Sequence, residues 1–141
     1  MKTYLIYNID TGQILRSGYC PEEFLHLQIV NQGEKLLESN AAWDKYYIQN
    51  NIPVEIPLKP DNYYLFDYST KQWMPDLINA TNDILNYRQQ KLIASDWTQL
   101  PNNPLTAEQQ TAWAVYRQEL RDITTQSGYP FNVIWPTPPQ G

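Results

Sequence analysis

Cysteine and histidine are almost absent from this sequence, with one residue of each, Cys20 and His26. A single cysteine excludes an internal disulfide and fits a reducing compartment. A metal site needs several ligands of compatible type, so we interpret His26 as a surface or boundary residue and expect no metal or cofactor. One histidine also leaves no Ser-His-Asp arrangement to propose. Cys20 is interpreted as a small buried hydrophobe, not as a nucleophile, because no base accompanies it.

The sequence also lacks a long apolar run and an excess of basic charge. No window approaches the length that crosses a bilayer, and the apolar stretch in MKTYLIYNID is too short for a signal peptide. We therefore expect no membrane partner and a location in the cytosol where the chain is made. The 10 Lys and Arg residues are outnumbered by 15 Asp and Glu residues. Nucleic acid is not expected as a partner, because neutralising phosphates requires a basic face.

Glycine is scarce, and the five glycines stand singly, so there is no glycine-rich phosphate loop. Asp10-Thr11-Gly12 is the tripeptide that aspartic proteases use in pairs, so that two carboxylates share a proton. Only one copy is present, and the tight turn of a β-hairpin needs the same residue types. We favour the hairpin turn and expect no enzyme activity.

Aromatic residues, in contrast, are plentiful, with 11 Tyr and 5 Trp. Such side chains offer a large contact area with little conformational entropy to lose, and they are enriched at interfaces and in sugar-binding clefts. The composition therefore favours a protein or a glycan over a small molecule as the ligand.

The first part of the chain, residues 1–75, is predicted to be an antiparallel β lobe. Apolar and aromatic residues bounded by turn residues predict strands at residues 4–9, 13–17, 34–39, 45–49, 52–57, 63–68 and 72–74, and a short helix is predicted at 21–28. Within 52–57, Pro53 and Pro57 remove backbone donors from the same side of the strand. This pattern predicts an edge strand whose proline side faces away from the sheet.

The second part, residues 76–141, is predicted to be an α-hairpin lobe, which makes the whole chain α+β. A helix is predicted over residues 76–95, with Ile78, Leu85 and Leu92 at heptad spacing, and a loop over 96–105. Thr106 and Gln109 form the capping box of a second helix. Its apolar stripe consists of Trp113, Tyr116, Leu120 and Ile123.

The end of this lobe is predicted to be a short aromatic strand and a stiff tail. Gly128 and Pro130 stop the second helix, and alternation of Phe131, Val133 and Trp135 predicts a strand over 131–135. The tail, from Pro136 to Pro139, is expected to be extended in polyproline II form with its backbone open to contacts.

Three segments of this lobe, SDWTQLPNNPLT, AWAVYRQELRDI and FNVIWPTPP, together resemble the C-terminal signature of bacteriophage tail (fibre) assembly chaperones. That family shows a DWTQLPD-like loop, a W-x-x-YR-x-x-LR helix and a final WP-x-P motif in this order. Asn102 and Asn103 stand where an aspartate is often found. The resemblance covers residues 88–139, while the N-terminal half matches only loosely.

The resemblance implies a non-enzymatic protein that helps a phage tail fibre or receptor-binding protein fold, trimerise or attach. The alternative is a permanent virion component at the tail or fibre tip, which takes part in host recognition. The candidate partner-binding residues are Trp97, Trp113, Tyr116, Arg117, Arg121, Trp135, Pro136 and Pro138.

Two questions about these candidates stay open from the sequence. The aromatic residues fit either a core shared by the helices and the tail, which is favoured, or an exposed patch that grips a partner. Arg117 and Arg121 lie on successive turns and repel each other mildly, so acidic groups are expected to meet them. Pairing with Asp96 and Asp122 inside the chain is favoured over pairing with carboxylates of a partner.

Overall fold

The chain has the expected α+β fold, with antiparallel strands followed by helices, in a computed structural model that describes residues 1–140. Backbone contacts divide it into two compact units, Met1–Met74 and the residues from Pro75 onward. Each unit is described here by itself.

The N-terminal unit is built on a three-stranded sheet with the strand order β2-β1-β3. The strands are β1 (Lys2–Asn8), β2 (Ile14–Cys20) and β3 (Glu34–Glu38), and both pairings with β1 are antiparallel. A 3₁₀ helix, Glu22–Leu27, connects β2 to β3 after Pro21. The core of this unit contains Leu5, Tyr7, Ile14 and Ile48. The apolar and aromatic run that predicted the first strand therefore includes three consecutive residues of the interior, Leu5, Ile6 and Tyr7.

Two further strand pairs complete the unit. One consists of β4 (Tyr46–Gln49) and β5 (Ile52–Glu55), and the other of β6 (Tyr64–Asp67) and β7 (Gln72–Pro75). Asn50 and Asn51 form the turn between β4 and β5 with φ values of 53° and 62°. Asparagine tolerates this left-handed region better than most residues, which explains why the two asparagines specify the turn.

β5 is an edge strand, as its prolines predicted. It pairs only with β4, and Pro53 lies opposite Ile48. The N–H of Ile48 donates to the carbonyl of Gly12 at 2.8 Å and so faces away from β5, which makes Ile48 and Pro53 a pair that exchanges no backbone hydrogen bond. The imino acid therefore removes no bond from the pair.

The hairpin of β6 and β7 packs through an aromatic cluster around Phe66. The ring centroids of Tyr47, Tyr68 and Trp73 lie 6.0, 5.0 and 5.3 Å from that of Phe66. The amine of Lys71 donates to the carbonyls of Thr11 and Tyr68. Burial lowers the pKa of this amine below its ordinary value. These contacts connect the last hairpin to the turn between β1 and β2.

The C-terminal unit contains two α-helices, α1 (Leu77–Ala94) and α2 (Ala107–Arg121). Two 3₁₀ helices, Asp96–Gln99 and Asp122–Thr125, follow them directly. Asp76 caps α1 by accepting from the N–H of Asn79. Both bonds of the predicted capping box are present at the start of α2. The stripe of α2 also faces inward, with Tyr116 4 %, Leu120 0 % and Ile123 0 % exposed.

Three details of the predicted lobe are wrong. No strand forms over 131–135, because the backbone there is bonded elsewhere: the N–H of Asn132 donates to the carbonyl of Gly128 at 2.7 Å. The heptad pattern of α1 overstated burial, since Ile78 is 74 % exposed. The α-helical geometry of α2 ends at Arg121, before Gly128, and the chain continues as a 3₁₀ helix.

Candidate partner-binding site

The loop between α1 and α2 is a rigid support for Trp97. Thr98, which is 3 % exposed, donates its hydroxyl to the carbonyl of Ser95 at 2.6 Å. The hydroxyl of Ser95 in turn donates to the carbonyls of Lys91 and Leu92 at the end of α1. These short-range bonds fix the 3₁₀ helix on which Trp97 stands, so its indole is held in place by local chemistry.

Asn103 closes the same loop with one side chain. Its amide nitrogen donates to the carbonyls of Thr98 at 3.1 Å and Leu100 at 2.9 Å, and its amide oxygen accepts from the N–H of Leu105 at 3.1 Å. An aspartate at this position has no donor for the two carbonyls. Asn102 supplies the reversal with a φ of 62°. Asn102 and Asn103 therefore stabilise the loop in place of the aspartate that is often found there.

Three aromatic side chains form a ladder, which we call the tryptophan ladder, from the loop into α2. The ring centroids of Trp97 and Trp113 are 6.0 Å apart, and those of Trp113 and Tyr116 are 5.5 Å apart, both pairs edge to face. Tyr116 is buried, Trp113 is half-buried and Trp97 is 41 % exposed. The ladder thus combines both interpretations of the sequence, with a buried end in the core and an exposed end at the surface.

Arg117 is a structural residue inside the unit. It is 7 % exposed, and its Nη1 donates to the carbonyl of Leu92 and to the hydroxyl of Ser95, both at 2.7 Å. Its Nη2 pairs with Asp96 at 2.8 Å, which confirms the favoured internal pairing for this arginine. A cation on the last carbonyls of a helix also meets the negative end of the helix dipole. Arg117 therefore joins α2 to the C-terminus of α1.

Arg121 lies one turn further along α2 and is exposed. Its carbonyl accepts from Nη1 of Arg88 at 3.4 Å. Asp122, the acid predicted to meet it, instead accepts from the amide of Gln118 at 3.0 Å. Within residues 1–140 the guanidinium of Arg121 has no carboxylate partner.

Trp135 ties the C-terminal segment to α1. Its ring centroid lies 4.7 Å from that of Tyr87, edge to face, and both residues belong to the C-terminal unit. The amine of Lys91 lies 4.5 Å from the Tyr87 ring centroid and 5.9 Å from the Trp135 ring centroid. Cation–π contacts of this kind add modest stability at partly exposed sites. The predicted contact role of Trp135 is thus combined with a role in placing the tail.

A groove lies between the end of α2 and the tail, with a volume of about 680 Å³. Its lining consists of Glu119, Asp122, Thr125, Gln126, Ser127, Gly128, Asn132, Ile134 and Pro136. Of the predicted contact residues, only Pro136 lines it, while Pro138 is exposed outside it. The predicted candidates are therefore spread over the ladder, the exposed end of α2 and the tail.

Gln126 holds the tail beside the groove, and Asn103 closes the loop under Trp97. The sequence interpretation gave neither residue such a role. Gln126 donates its amide to the carbonyl of Ile134 at 2.8 Å and accepts from the N–H of Ile134 at 2.7 Å. One side chain thereby satisfies both backbone groups of a residue eight positions later. No local pattern reveals such a bond, because an isolated glutamine reads as an ordinary polar surface residue.

The residues that resemble catalytic or metal-binding groups have structural explanations. Asp10 and Thr11 donate their N–H groups to the Asn8 side chain, and Gly12 has a φ of 71°, which a tight turn requires. Cys20 is buried and His26 is exposed. Within residues 1–140, no three acidic, histidine or cysteine side chains are placed to share a metal ion. None of the helices in that range has the length and apolar content of a bilayer span.

Comparison with known proteins gives one family match. Residues 81–140 match the model of a family described as phage tail assembly chaperone protein. Over these residues, which make up less than half of the chain, the chain is similar to the phage tail assembly chaperone family. The matched segment contains the tryptophan ladder, Arg117, the groove and the tail. Curated proteins and solved structures yielded no match to the chain.

Similarity to the phage tail assembly chaperone family supports a chaperone role in tail assembly, with a phage tail protein as the partner. It also favours a non-enzymatic role. The match begins within α1, so it leaves the β unit unassigned.

Proposed function

We propose that this chain is a tail fibre assembly chaperone, which binds the fibre or receptor-binding protein and assists its folding, trimerisation or attachment. The similarity of residues 81–140 to the phage tail assembly chaperone family supports the general role. The observation that carries the finer proposal is Trp97, a large aromatic side chain that stays 41 % exposed although Thr98 and Asn103 hold the loop beneath it by hydrogen bonds. Tryptophan is among the residue types that most often anchor protein interfaces, and here the loop fixes its position.

The surroundings of Trp97 support an apolar contact. Ile93 on α1 and Leu100 after the 3₁₀ helix are each 60 % exposed and belong to the same unit. Tyr116 and Arg117 offer little surface, so in this proposal they support the contact from beneath. The exposed apolar side chains of Trp97, Ile93 and Leu100 suit an apolar surface on the client.

The proposed mechanism is stoichiometric binding during assembly. A fibre chain exposes apolar surface and unpaired strand edges until its trimer closes, and such surface aggregates when it is left uncovered. A rigid apolar anchor covers that surface with little loss of conformational entropy. We place this action in the host cytoplasm, before the fibre joins the particle.

Co-expression tests this function directly. The fibre protein of the same phage is expressed alone, with the intact chain, with Trp97→Ala, and with Trp43→Ala as a matched control, since Trp43 is 65 % exposed in the N-terminal unit. Removing an anchoring tryptophan costs about 2 kcal/mol of binding free energy, or roughly a thirtyfold weaker Kd. We expect Trp97→Ala to lower the yield of soluble trimer and Trp43→Ala to leave it unchanged. Equal yields with and without the chain would refute the chaperone proposal for that fibre.

Mass spectrometry of purified particles separates this function from that of a permanent virion component. A chaperone that is released after assembly should be absent from the particles. Detection at a fixed ratio to the fibre would favour the virion component instead.

A further inference from the structure

The groove at the end of α2 is acidic. Glu119 and Asp122 supply its only charged side chains, and no Lys, Arg or His within residues 1–140 lines it. Asp122 accepts one bond from the neutral amide of Gln118, and Glu119 has no ion-pair partner in that part of the chain. Two carboxylates that line the same groove repel each other and attract a cation.

The opposite wall of the groove presents an apolar side chain on a fixed backbone. Ile134 is 80 % exposed, although Gln126 satisfies both its N–H and its carbonyl. Trp135, the next residue, is secured against Tyr87. Ordering this segment costs conformational entropy, and an isoleucine that points into solvent returns no burial to offset it. An apolar surface that is ordered in advance binds a partner with less entropy left to lose.

The remaining lining residues suit an extended polypeptide. Pro136 adds an apolar side chain to the lining besides Ile134. Thr125, Ser127 and Asn132, which also line the groove, carry hydrogen-bond donors and acceptors. A volume of about 680 Å³ accommodates several side chains. The groove therefore offers charge on one wall, apolar contact on the other and hydrogen bonds between them.

We propose that this groove binds an extended segment of the client tail protein in which Lys or Arg stands close to an apolar residue. The cation pairs with Glu119 and Asp122, and the apolar side chain packs against Ile134 and Pro136. This inference rests on the proposed chaperone function and deepens it, because it gives the chemistry of the client segment. It is a contact separate from Trp97.

A peptide array provides the probe. Overlapping synthetic peptides that cover the tail proteins of the same phage are incubated with the full-length chain and with two groove variants, Glu119→Lys and Ile134→Asp. The matched controls are Glu108→Lys in the first turn of α2 and Leu58→Asp, which alters a residue that is 95 % exposed in the N-terminal unit. Far-UV circular dichroism confirms that each variant is folded.

We expect the intact chain to select peptides with a Lys or Arg near an apolar residue. Each groove variant should weaken binding about tenfold, while the controls bind like the intact chain. Peptides in which the selected Lys is replaced by Glu should no longer bind the intact chain. They should bind the Glu119→Lys variant instead, since the charges are exchanged. Selection of acidic peptides, or equal binding by the groove variants, would overturn the proposal. So would a concentration-dependent dimer that Ile134→Asp dissociates, because the groove would then hold a second copy of this chain.

The outcome for the groove is separable from that for the fibre. If the fibre still depends on the chain while the groove variants bind peptides normally, the groove inference fails and the chaperone proposal stands. If the fibre is indifferent to the chain but peptides of another tail protein bind in the groove, the fibre is the wrong client and the groove inference stands.

Discussion

Arg117 and Arg121 lie on successive turns of α2, yet their environments differ completely. The guanidinium of Arg117 is buried against the end of α1, while that of Arg121 is exposed. The ion pair of Arg117 contributes little by itself, because the side chain of Asp96 is 62 % exposed and solvent screens the interaction. The bonds from Nη1 to Leu92 and Ser95 lie in the interior and carry most of the stabilisation.

Replacing Arg117 by Met keeps the length of the side chain and removes every donor. We expect the free energy of unfolding to fall by about 3 kcal/mol, because the carbonyl of Leu92 and the hydroxyl of Ser95 each lose a buried hydrogen bond from a charged donor. Arg121→Met is the matched control and should stay within about 0.5 kcal/mol of the intact chain. Urea denaturation followed by circular dichroism measures both variants, and equal effects would contradict the structural role of Arg117.

Glu34 gives the fold a dependence on pH. Its carboxylate accepts from Nη1 and Nη2 of Arg16 at 3.0 and 2.6 Å and from the N–H of Asn31 at 3.0 Å. Chiefly the Arg16 bonds, and then Asn31, lower the pKa of Glu34 from 4.5 to about 2. The folded pKa lies below the unfolded one, so this stabilisation is complete above pH 4.5 and is lost as the pH falls towards 2.

Glu34→Gln should therefore lower the urea midpoint at neutral pH, and the difference from the intact chain should shrink as the pH falls from 4.5 towards 2. Glu23→Gln in the preceding 3₁₀ helix removes the same formal charge from an exposed position and serves as the control. A midpoint difference that is independent of pH across this window would show that the bonds to Arg16 do not stabilise the ionised carboxyl.

At the scale of elements, the turn between β1 and β2 explains why a glycine follows Asp10-Thr11. Gly12 combines a φ of 71° with close contact to β4, where an added Cβ would lie 2.1 Å from the carbonyl oxygen of Ile48. At Gly33 the φ is 82°, but nothing lies within 4 Å of an added Cβ. Substitution of Gly33 therefore tests backbone strain alone, while substitution of Gly12 adds steric overlap with β4.

Gly33→Ala should cost about 1 kcal/mol of unfolding free energy, because only the left-handed backbone opposes the new methyl group. Gly12→Ala should cost about 3 kcal/mol or more, since β4 must also move and its bond from Ile48 to Gly12 weakens. Urea midpoints compare the two variants directly. A cost at Gly12 no larger than that at Gly33 would mean that β4 relaxes freely.

Elements with a strong local signal were predictable. The capping box of Thr106 and Gln109 and the apolar stripe that begins on α2 depend on residues close in sequence, and both are confirmed. The predicted strand over 131–135 failed because alternation reports an extended backbone and does not report a pairing partner. In the folded chain Gln126 takes the place of that partner strand.

At the scale of the whole molecule, the charge balance governs which polymers the chain meets. The formal net charge is −5 at pH 7. We expect no mobility shift of duplex DNA at physiological salt, because a phosphate backbone binds only where cations replace its counterions. A basic DNA-binding domain run alongside serves as the positive control. A shift that disappears with added salt would reveal a local basic face and contradict this expectation.

The sequence by itself determined the α+β class and the helix starts, because caps, turns and apolar periodicity act between neighbouring residues. It also revealed the similarity of the C-terminal residues to the phage tail assembly chaperone family. The boundary between residues 75 and 76 and the contact residues from Trp97 to Pro138 stay predictions. Only the tertiary structure decided which arginine is buried, that Trp97 is the exposed end of the ladder, and that Gln126 holds Ile134 over an acidic groove. These facts depend on contacts between backbone groups and side chains that are distant in sequence. The spacing of residues along the chain does not predict such contacts, because they leave no local pattern.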